Sequence, residues 1–322
     1  MKKLVAFLSA LMLTASCTAC SSKKTEDNPK VAVICKSTDP YWDAVKKAVE
    51  DAESEMDLDV SYTAPEKEDY EKQIELIDKA VSEGAQVIVL APVVMDEMNE
   101  KLSEVIDKGI PVITIDSDVS LEKRAAFIGT QNESAARVAG RHAQELAKED
   151  SVIAVLTHDS VSQTAMQRTN GFIDVFNIET DGIQLLEPLN CGGDIAVTEE
   201  NAIQLIKENP EIDIIYATNQ PTTKGACQAV ESMLQDGQIS EGQVKVIGFD
   251  YFDGADAYIN NGILDGVIVQ HPYNMGYFGV MAASYLLKGE EIPVSMMDTG
   301  TALVTKDNLQ NEDIQFMIHP TA

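Results

Sequence analysis

Short β-branched apolar runs alternate along this chain with longer stretches that have the apolar period of a helix. The runs predicted as strands are 31–35, 59–62, 86–90 and 111–115 in a first series, then 152–156, 183–187, 212–217, 244–249 and 265–270 in a second. Strict alternation of strands and helices requires parallel strands covered by helices on both faces. The sequence therefore predicts an α/β fold with two doubly wound parallel-sheet lobes, and the gap between the two series falls at 129–133.

The first twenty residues have the three parts of an export signal. Met1 to Lys3 is basic, Leu4 to Leu13 is almost entirely apolar, and small residues lead to a cysteine. As a helix, about ten apolar residues reach across only half of a ~30 Å hydrocarbon core. We therefore interpret residues 1–20 as a cleaved signal and the polar residues 21–29 as a tether.

Small residues that end in a cysteine resemble a bacterial lipoprotein signal, in which that cysteine is acylated and becomes the first residue of the mature protein. Cys20 has the better context because Thr18 and Ala19 precede it, and Cys17 is the alternative. The resemblance implies an exported protein that is lipid-anchored at the extracytoplasmic face of the cell membrane.

Three further cysteines, Cys35, Cys191 and Cys227, cannot form a complete set of disulfides because their number is odd. We expect them to be small buried apolar residues. The spacing leaves open whether one pair is bridged.

Composition and motifs exclude several classes of function. Lys and Arg total 24 against 53 Asp and Glu, so the net charge of -29 repels nucleic acid. The sequence has no nucleophile elbow, phosphate-binding loop or zinc-protease motif, and the acidic stretch 116–122 lacks the glycine of a calcium loop. The four histidines have no metal spacing, and only His271 is expected near a cleft. We predict no catalytic residue, no cofactor and no metal.

Polar and aromatic side chains follow the predicted strands, at the sheet edge where open parallel sheets bind ligands. The candidate ligand-binding residues are Lys36, Asp39, Tyr41, Trp42, Asp116, Ser117, Arg168, Asn219, Asp250 and Gln270. Aromatic rings stack on the C–H faces of sugars, and carboxylate, amide and guanidinium groups bind hydroxyls. Any one of these residues alone could be a helix cap, a turn or a core residue. Their recurrence at strand ends indicates a site that holds a polar ligand and carries no nucleophile–base pair.

Five segments, taken in order, resemble periplasmic binding proteins of the ribose and galactose type from Lys30 to about Phe316. They are Thr38–Trp42, Ile110–Asp116, Arg168–Phe172, Ala217–Asn219 and Val246–Asp250. The resemblance implies that the candidate residues stack on or hydrogen-bond a small sugar. Asp39 stands where ribose binders typically have Asn, and Ser117 where they have Arg, so the identity of the sugar stays open.

The resemblance also implies a hinge of three crossing strands that lets the lobes close around the ligand. The expected N-terminal lobe comprises 30–131 and 271–293, and the C-terminal lobe 132–270 and 294–322. Expected partners are the permease and ATPase of an ABC importer, and the chain is expected to be a monomer. Lys36 with Asp116 also resembles quorum-signal binders. The alternative function is a sensor of a quorum signal, polyol or nucleoside that reports to a membrane receptor.

Overall fold

The computed structural model describes residues 29–160, 162–177 and 182–319. The strands are β1 (Lys30–Ile34), β2 (Asp59–Thr63), β3 (Val87–Leu90), β4 (Val112–Asp116), β5 (Ala126–Gly129), β6 (Val152–Thr157), β7 (Gln184–Leu185), β8 (Leu189–Asn190), β9 (Ile212–Ala217), β10 (Lys245–Phe249), β11 (Leu264–Gln270), β12 (Met296–Asp298) and β13 (Thr301–Thr305). The predicted signal, both candidate lipid-bearing cysteines and the tether up to residue 28 lie outside the described residues.

Helices connect these strands along the chain. They are α1 (Tyr41–Met56), α2 (Tyr70–Ser82), α3 (Asn99–Asp107), α4 (Asn132–Leu146), α5 (Gln163–Asp174), α6 (Ile195–Glu208), α7 (Gln220–Gln235), α8 (Ala255–Asn261), α9 (Pro272–Leu287) and α10 (Glu312–Ile318). In α2, the Asp69 carboxylate caps the first turn by accepting from the Lys72 N–H (3.0 Å), and Gln73, Ile77 and Ala80 recur on the buried face.

The strands form two sheets, which confirms the predicted fold class. The first has the order β12-β5-β4-β3-β1-β2 and is parallel throughout. The second has the order β13-β11-β10-β9-β6-β7, with β8 also pairing with β6, and only β13 runs antiparallel. Each sheet is covered on both faces. Helices α1 and α9 pack on one face of the first sheet and α2 and α3 on the other, while α4 and α5 lie opposite α6 and α7 on the second.

The chain crosses between the two sheets three times, at Thr130–Gln131, at Gln270–His271 and at Thr299–Gly300. The predicted domain division assigned 294–322 to the C-terminal lobe. Strand β12 instead pairs with β5 of the first sheet, so the third crossing comes after Asp298. A three-residue strand has no measurable period, which is why its sequence gave no indication of its sheet.

The two lobes also contact each other beside the hinge. Helix α10 packs on the second lobe through the buried Ile314 and Met317. Its Phe316 ring meets Tyr273 of α9, in the first lobe, with 5.2 Å between ring centroids. The Tyr273 hydroxyl donates to Asp51 of α1 (2.9 Å), which fixes the tyrosine within its own lobe. We call this the Tyr273–Phe316 contact.

Cys35, Cys191 and Cys227 are buried free thiols, which confirms that they serve as apolar core residues. Burial raises the pKa of the Cys35 thiol to about 12. Within the described ranges, no helix has the length and apolar content needed to cross a membrane.

Candidate ligand-binding site

Asp116 and Asp250 hold equivalent places in the two lobes. Asp116 ends β4 and Asp250 follows β10, and these strands occupy the same position in the order of their sheets. Both residues have positive φ angles, 63° and 69°, which residues other than glycine rarely adopt. Strained backbone of this kind clusters at functional sites. The negative charge of Asp116 also helps to raise the pKa of Asp250, so the two carboxylates interact electrostatically although they belong to different lobes.

The Asp116 carboxylate is held by three donors of the first lobe. Lys36 Nζ donates to Oδ2 (2.7 Å), the Ser117 hydroxyl donates to the same oxygen (3.2 Å), and the Tyr41 hydroxyl donates to Oδ1 (3.0 Å). Lys36 Nζ also donates to Ser117 Oγ (2.6 Å). Burial opposes ionisation of Asp116, but Lys36 and these hydrogen bonds outweigh it, and Arg168 of the second lobe adds to their effect. The pKa of Asp116 is therefore lowered, and the group is ionised at neutral pH.

Arg168 organises the equivalent corner of the second lobe. Its Nη1 donates to Asp250 Oδ2 (3.1 Å) and to the Thr218 carbonyl (3.0 Å), and its Nε donates to Asn132 Oδ1 (2.8 Å). The guanidinium carbon lies 3.8 Å from the centroid of the Phe249 ring. The hydrogen bonds of this side chain to other described residues are made by Nε and Nη1.

Gln270 joins this corner to the hinge. Its Nε2 donates to Asp250 Oδ1 (2.6 Å), and its Oε1 accepts from Thr130 Oγ1 (2.7 Å). Burial raises the pKa of Asp250, while Arg168 and the hydrogen bond from Gln270 oppose that rise. Because Thr130 and Gln270 lie in two of the three crossings, the carboxylate is bonded directly to one crossing and, through Gln270, to another.

Asn219 has two roles, one at each end of its side-chain amide. Its Oδ1 caps α7 by accepting from the Thr222 N–H (3.1 Å) and hydroxyl (2.8 Å). Asn219 is therefore a helix cap through its side-chain oxygen, as the sequence analysis allowed for each of these residues. The Nδ2 group faces away from the cap and lies beside Gly193, where it can donate to a ligand.

Comparison with known proteins identifies the family of this chain. Residues 31–291 match the periplasmic binding protein domain family. The chain belongs to this family. The D-ribose/D-allose-binding protein of Pseudomonas aeruginosa is 24% identical over 92% of this chain and 97% of its own length, and the ribose import binding protein RbsB of Escherichia coli is 22% identical over 91% and 95%.

Solved structures of similar proteins have the same fold. A sugar-binding protein of a sugar ABC transporter from Bacillus halodurans has a TM-score of 0.80 at 25% identity, covering 88% of this chain and 99% of that one. A solute-binding protein from Agrobacterium radiobacter, in complex with D-arabinose, has a TM-score of 0.80 at 27% identity and covers 91% and 100%. The two-lobed architecture is thus that of type I periplasmic binding proteins.

Two residues predicted for the site make no hydrogen bond to either carboxylate of this periplasmic binding protein among the described residues. Trp42 is only 5% exposed and packs in the first-lobe core, because it shares a face of α1 with Val45 and Val49. Lys36 Nζ lies 5.9 Å from the centroid of its ring, and the Tyr41 ring meets it edge-on with 5.0 Å between centroids, so Trp42 lies beside the first-lobe cluster. Asp39 is exposed in the turn before α1, where its carboxylate accepts from the Ser37 hydroxyl (2.6 Å). The remaining predicted residues lie in the two clusters or, for Asn219, next to them.

The sequence analysis missed His158, which follows β6 directly. Its Nδ1 lies 2.8 Å from Thr218 Oγ1. Burial, then the charge of Arg168 and that of Lys36 in the other lobe, lower its pKa to about 3, against a smaller opposing effect of Asp159. The available signal was its position after β6, the strand that corresponds to β1, which Lys36 follows in the first lobe.

Metal binding is not indicated in this part of the chain. Across residues 29–160, 162–177 and 182–319, no three His, Cys, Asp or Glu side chains are grouped so as to hold an ion. His271, the histidine expected near a cleft, lies in the second crossing and not in either cluster.

Proposed function

We propose that this periplasmic binding protein captures a small neutral monosaccharide, a pentose or hexose, in the cleft between its lobes for an ABC importer. The observation that carries the proposal is the pairing of each cleft carboxylate with a cation. Lys36 lies 2.7 Å from Asp116, and Arg168 lies 3.1 Å from Asp250. The formal charges of these four groups cancel, so an uncharged ligand leaves no buried charge unpaired.

The unused hydrogen-bonding capacity of the site suits hydroxyl groups. Asn219 Nδ2 can donate, and the carboxylate oxygens of Asp116 and Asp250 retain lone pairs beyond their protein partners. A hydroxyl both donates and accepts, so a polyhydroxylated ring can satisfy both kinds of group at once. A purely apolar ligand would leave them unsatisfied at about 1–3 kcal/mol each.

The similar proteins support the same ligand class. One is named for binding D-ribose and D-allose, and solved relatives carry D-arabinose or D-fucose. A ligand that bridges Asp116 and Asp250 binds the closed arrangement of the lobes better than an open one, because opening separates its two sets of contacts. Binding therefore shifts the population toward closure.

We further propose the cellular setting implied by the first residues. The chain is exported, Cys20 or alternatively Cys17 carries the lipid, and the body works as a monomer at the extracytoplasmic face of the cell membrane. There it delivers the ligand to a permease and its ATPase. Radiolabelled palmitate incorporated in cells and lost from the Cys20→Ser variant would support Cys20, whereas retained label would shift the assignment to Cys17.

A thermal-shift screen of the purified protein tests the ligand class. The panel contains pentoses, hexoses, polyols, nucleosides and furanosyl quorum signals, each at 100 times the dissociation constant where it binds, which adds about 2.7 kcal/mol of stability. We expect a clear shift with one or a few monosaccharides and its loss in Asp250→Asn. A shift with a nucleoside, polyol or quorum signal and with no sugar would support the sensing alternative instead.

A further inference from the structure

The two lobes place different side chains at one equivalent position of the cleft. Strand β1 and strand β6 occupy the same place in the order of their sheets, and a polar side chain stands within two residues of the carboxyl end of each. In the first lobe this side chain is Lys36, which donates to Asp116. In the second lobe it is His158, which makes no ion pair with the equivalent Asp250 among the described residues. The two halves therefore offer a ligand different chemistry.

The hydrogen bonds of His158 are compatible with a ring protonated on Nε2. The backbone N–H of His158 donates to Thr218 Oγ1 (3.0 Å), and the same oxygen lies 2.8 Å from His158 Nδ1. When the oxygen accepts the amide proton, its own hydroxyl proton can go to Nδ1, which then accepts. Nε2 is the protonated nitrogen in this arrangement. It lies 3.5 Å from Ser162 Oγ, at the limit of a hydrogen bond, so it is available as a donor.

Gly193 lies beside the base of the His158 side chain. Gly193 has a φ angle of 65°, and a Cβ placed there would lie 3.7 Å from the His158 carbonyl oxygen and 3.9 Å from Asn219 Nδ2. Glycine is suited to positions where backbone and ligand approach closely. Gly193 is thus a neighbour of both His158 and Asn219, and both side chains carry N–H groups.

We propose that His158 is a specificity-determining residue that, together with the Asn219 amide, donates to one oxygen of the bound sugar on its second-lobe side. This inference rests on the proposed sugar binding. The imidazole is uncharged above pH 5, because burial and the cations Arg168 and Lys36 oppose protonation more than Asp159 favours it. It therefore discriminates by the position of an oxygen on the ring and not by ligand charge.

The test is a cycle of protein and ligand changes measured by isothermal titration calorimetry. The proteins are the wild type, His158→Ala, His158→Gln and the control His319→Ala, an exposed histidine on α10's C-terminal end. The ligands are the monosaccharide that the wild type binds best and its monodeoxy analogues. We expect His158→Ala to weaken binding of the parent sugar about tenfold and His158→Gln, which keeps an N–H donor, to weaken it less.

One deoxy analogue should bind wild type and His158→Ala equally, because the oxygen that His158 contacts is already missing. Wild-type binding together with affinities within about twofold for every ligand would overturn the role of His158 and leave the proposed function standing. Absence of binding by wild type to any sugar would remove the proposed function and this inference with it. Circular dichroism confirms that each variant is folded before titration.

Discussion

Arg168 is expected to stabilise the second lobe in addition to binding ligand, so Arg168→Ala should weaken the fold itself. The side chain makes three hydrogen bonds to protein, one of which is also its ion pair with Asp250, and it is only 6% exposed. Its removal leaves the Asp250 carboxylate buried without its cation, which costs about 3–5 kcal/mol. That is a large share of a typical stability of about 5–15 kcal/mol.

The single tryptophan allows the two lobes to be followed separately during urea denaturation. Trp42 lies in the first-lobe core, so its fluorescence reports that lobe, whereas far-ultraviolet circular dichroism reports both. We expect Arg168→Ala to shift part of the dichroism transition to lower urea and to leave the Trp42 midpoint nearly unchanged. The matched control is Arg137→Ala, because Arg137 pairs with Asp174 on the surface, where such pairs contribute about 0–1 kcal/mol. Equal midpoints for Arg168→Ala and wild type would refute the reasoning.

The pH dependence of this variant has a definite sign. Burial already raises the pKa of Asp250, and Arg168 opposes that rise. Without Arg168 the folded protein binds a proton on Asp250 more tightly than the unfolded chain does, so lowering the pH stabilises the variant relative to the wild type. The loss in free energy of unfolding caused by Arg168→Ala should be smaller at pH 5 than at pH 8. Adding Asp250→Asn to the same chain should reduce that loss at every pH. A deficit independent of pH would show that the carboxylate is not the source of the cost.

Three further predictions follow from individual contacts. The pKa of His158 is about 3 in the fold and returns to its ordinary value on unfolding, so the wild type should be about 2 kcal/mol less stable at pH 5 than at pH 7. Urea denaturation of His158→Gln should show a free energy of unfolding that falls less between these two pH values. Phe316→Ala removes the ring from the Tyr273–Phe316 contact, worth about 0.5–1.5 kcal/mol. Its calorimetric affinities should all change by one common factor, and a change confined to one sugar would contradict an interlobe role. Trp42→Ala should lower stability by about 3–5 kcal/mol through its core cavity yet leave the ranking of sugars unchanged, whereas an altered ranking would return Trp42 to the cleft.

The parts of the fold that the sequence predicted are those with a sustained period. Strands β1 and β9 are buried apolar runs flanked by helical patterns, and their predicted bounds differ from the structure by one residue at most. Strand β5 has only four residues and β12 only three, with Met296 exposed. Runs this short look the same in a strand, a turn or a loop, so only pairing with a neighbour defines them.

Site residues were predictable from the sequence where their place at the end of a strand alone determines where they lie. Asp116 and Asp250 were found because the carboxyl ends of parallel strands meet at one edge. Tyr41 and Trp42 show the limit of that rule. They are consecutive residues of one helix, about 100° apart around its axis, and only the packing of α1 on its sheet decides that Tyr41 contacts Asp116 while Trp42 enters the core.

The bonding of Gln270 has a consequence for the time course of transport. Its amide holds Asp250 with one end and Thr130, in another crossing, with the other. Grip on the ligand and motion of the lobes therefore depend on the same few atoms, and a tighter grip should lengthen the residence time of the sugar. Spontaneous escape would then be slowest for the preferred ligand. We expect efficient release of the sugar to require a membrane partner that binds the open arrangement of the lobes more tightly than the closed one. The receiving transporter must then act on the hinge as well as on the sugar.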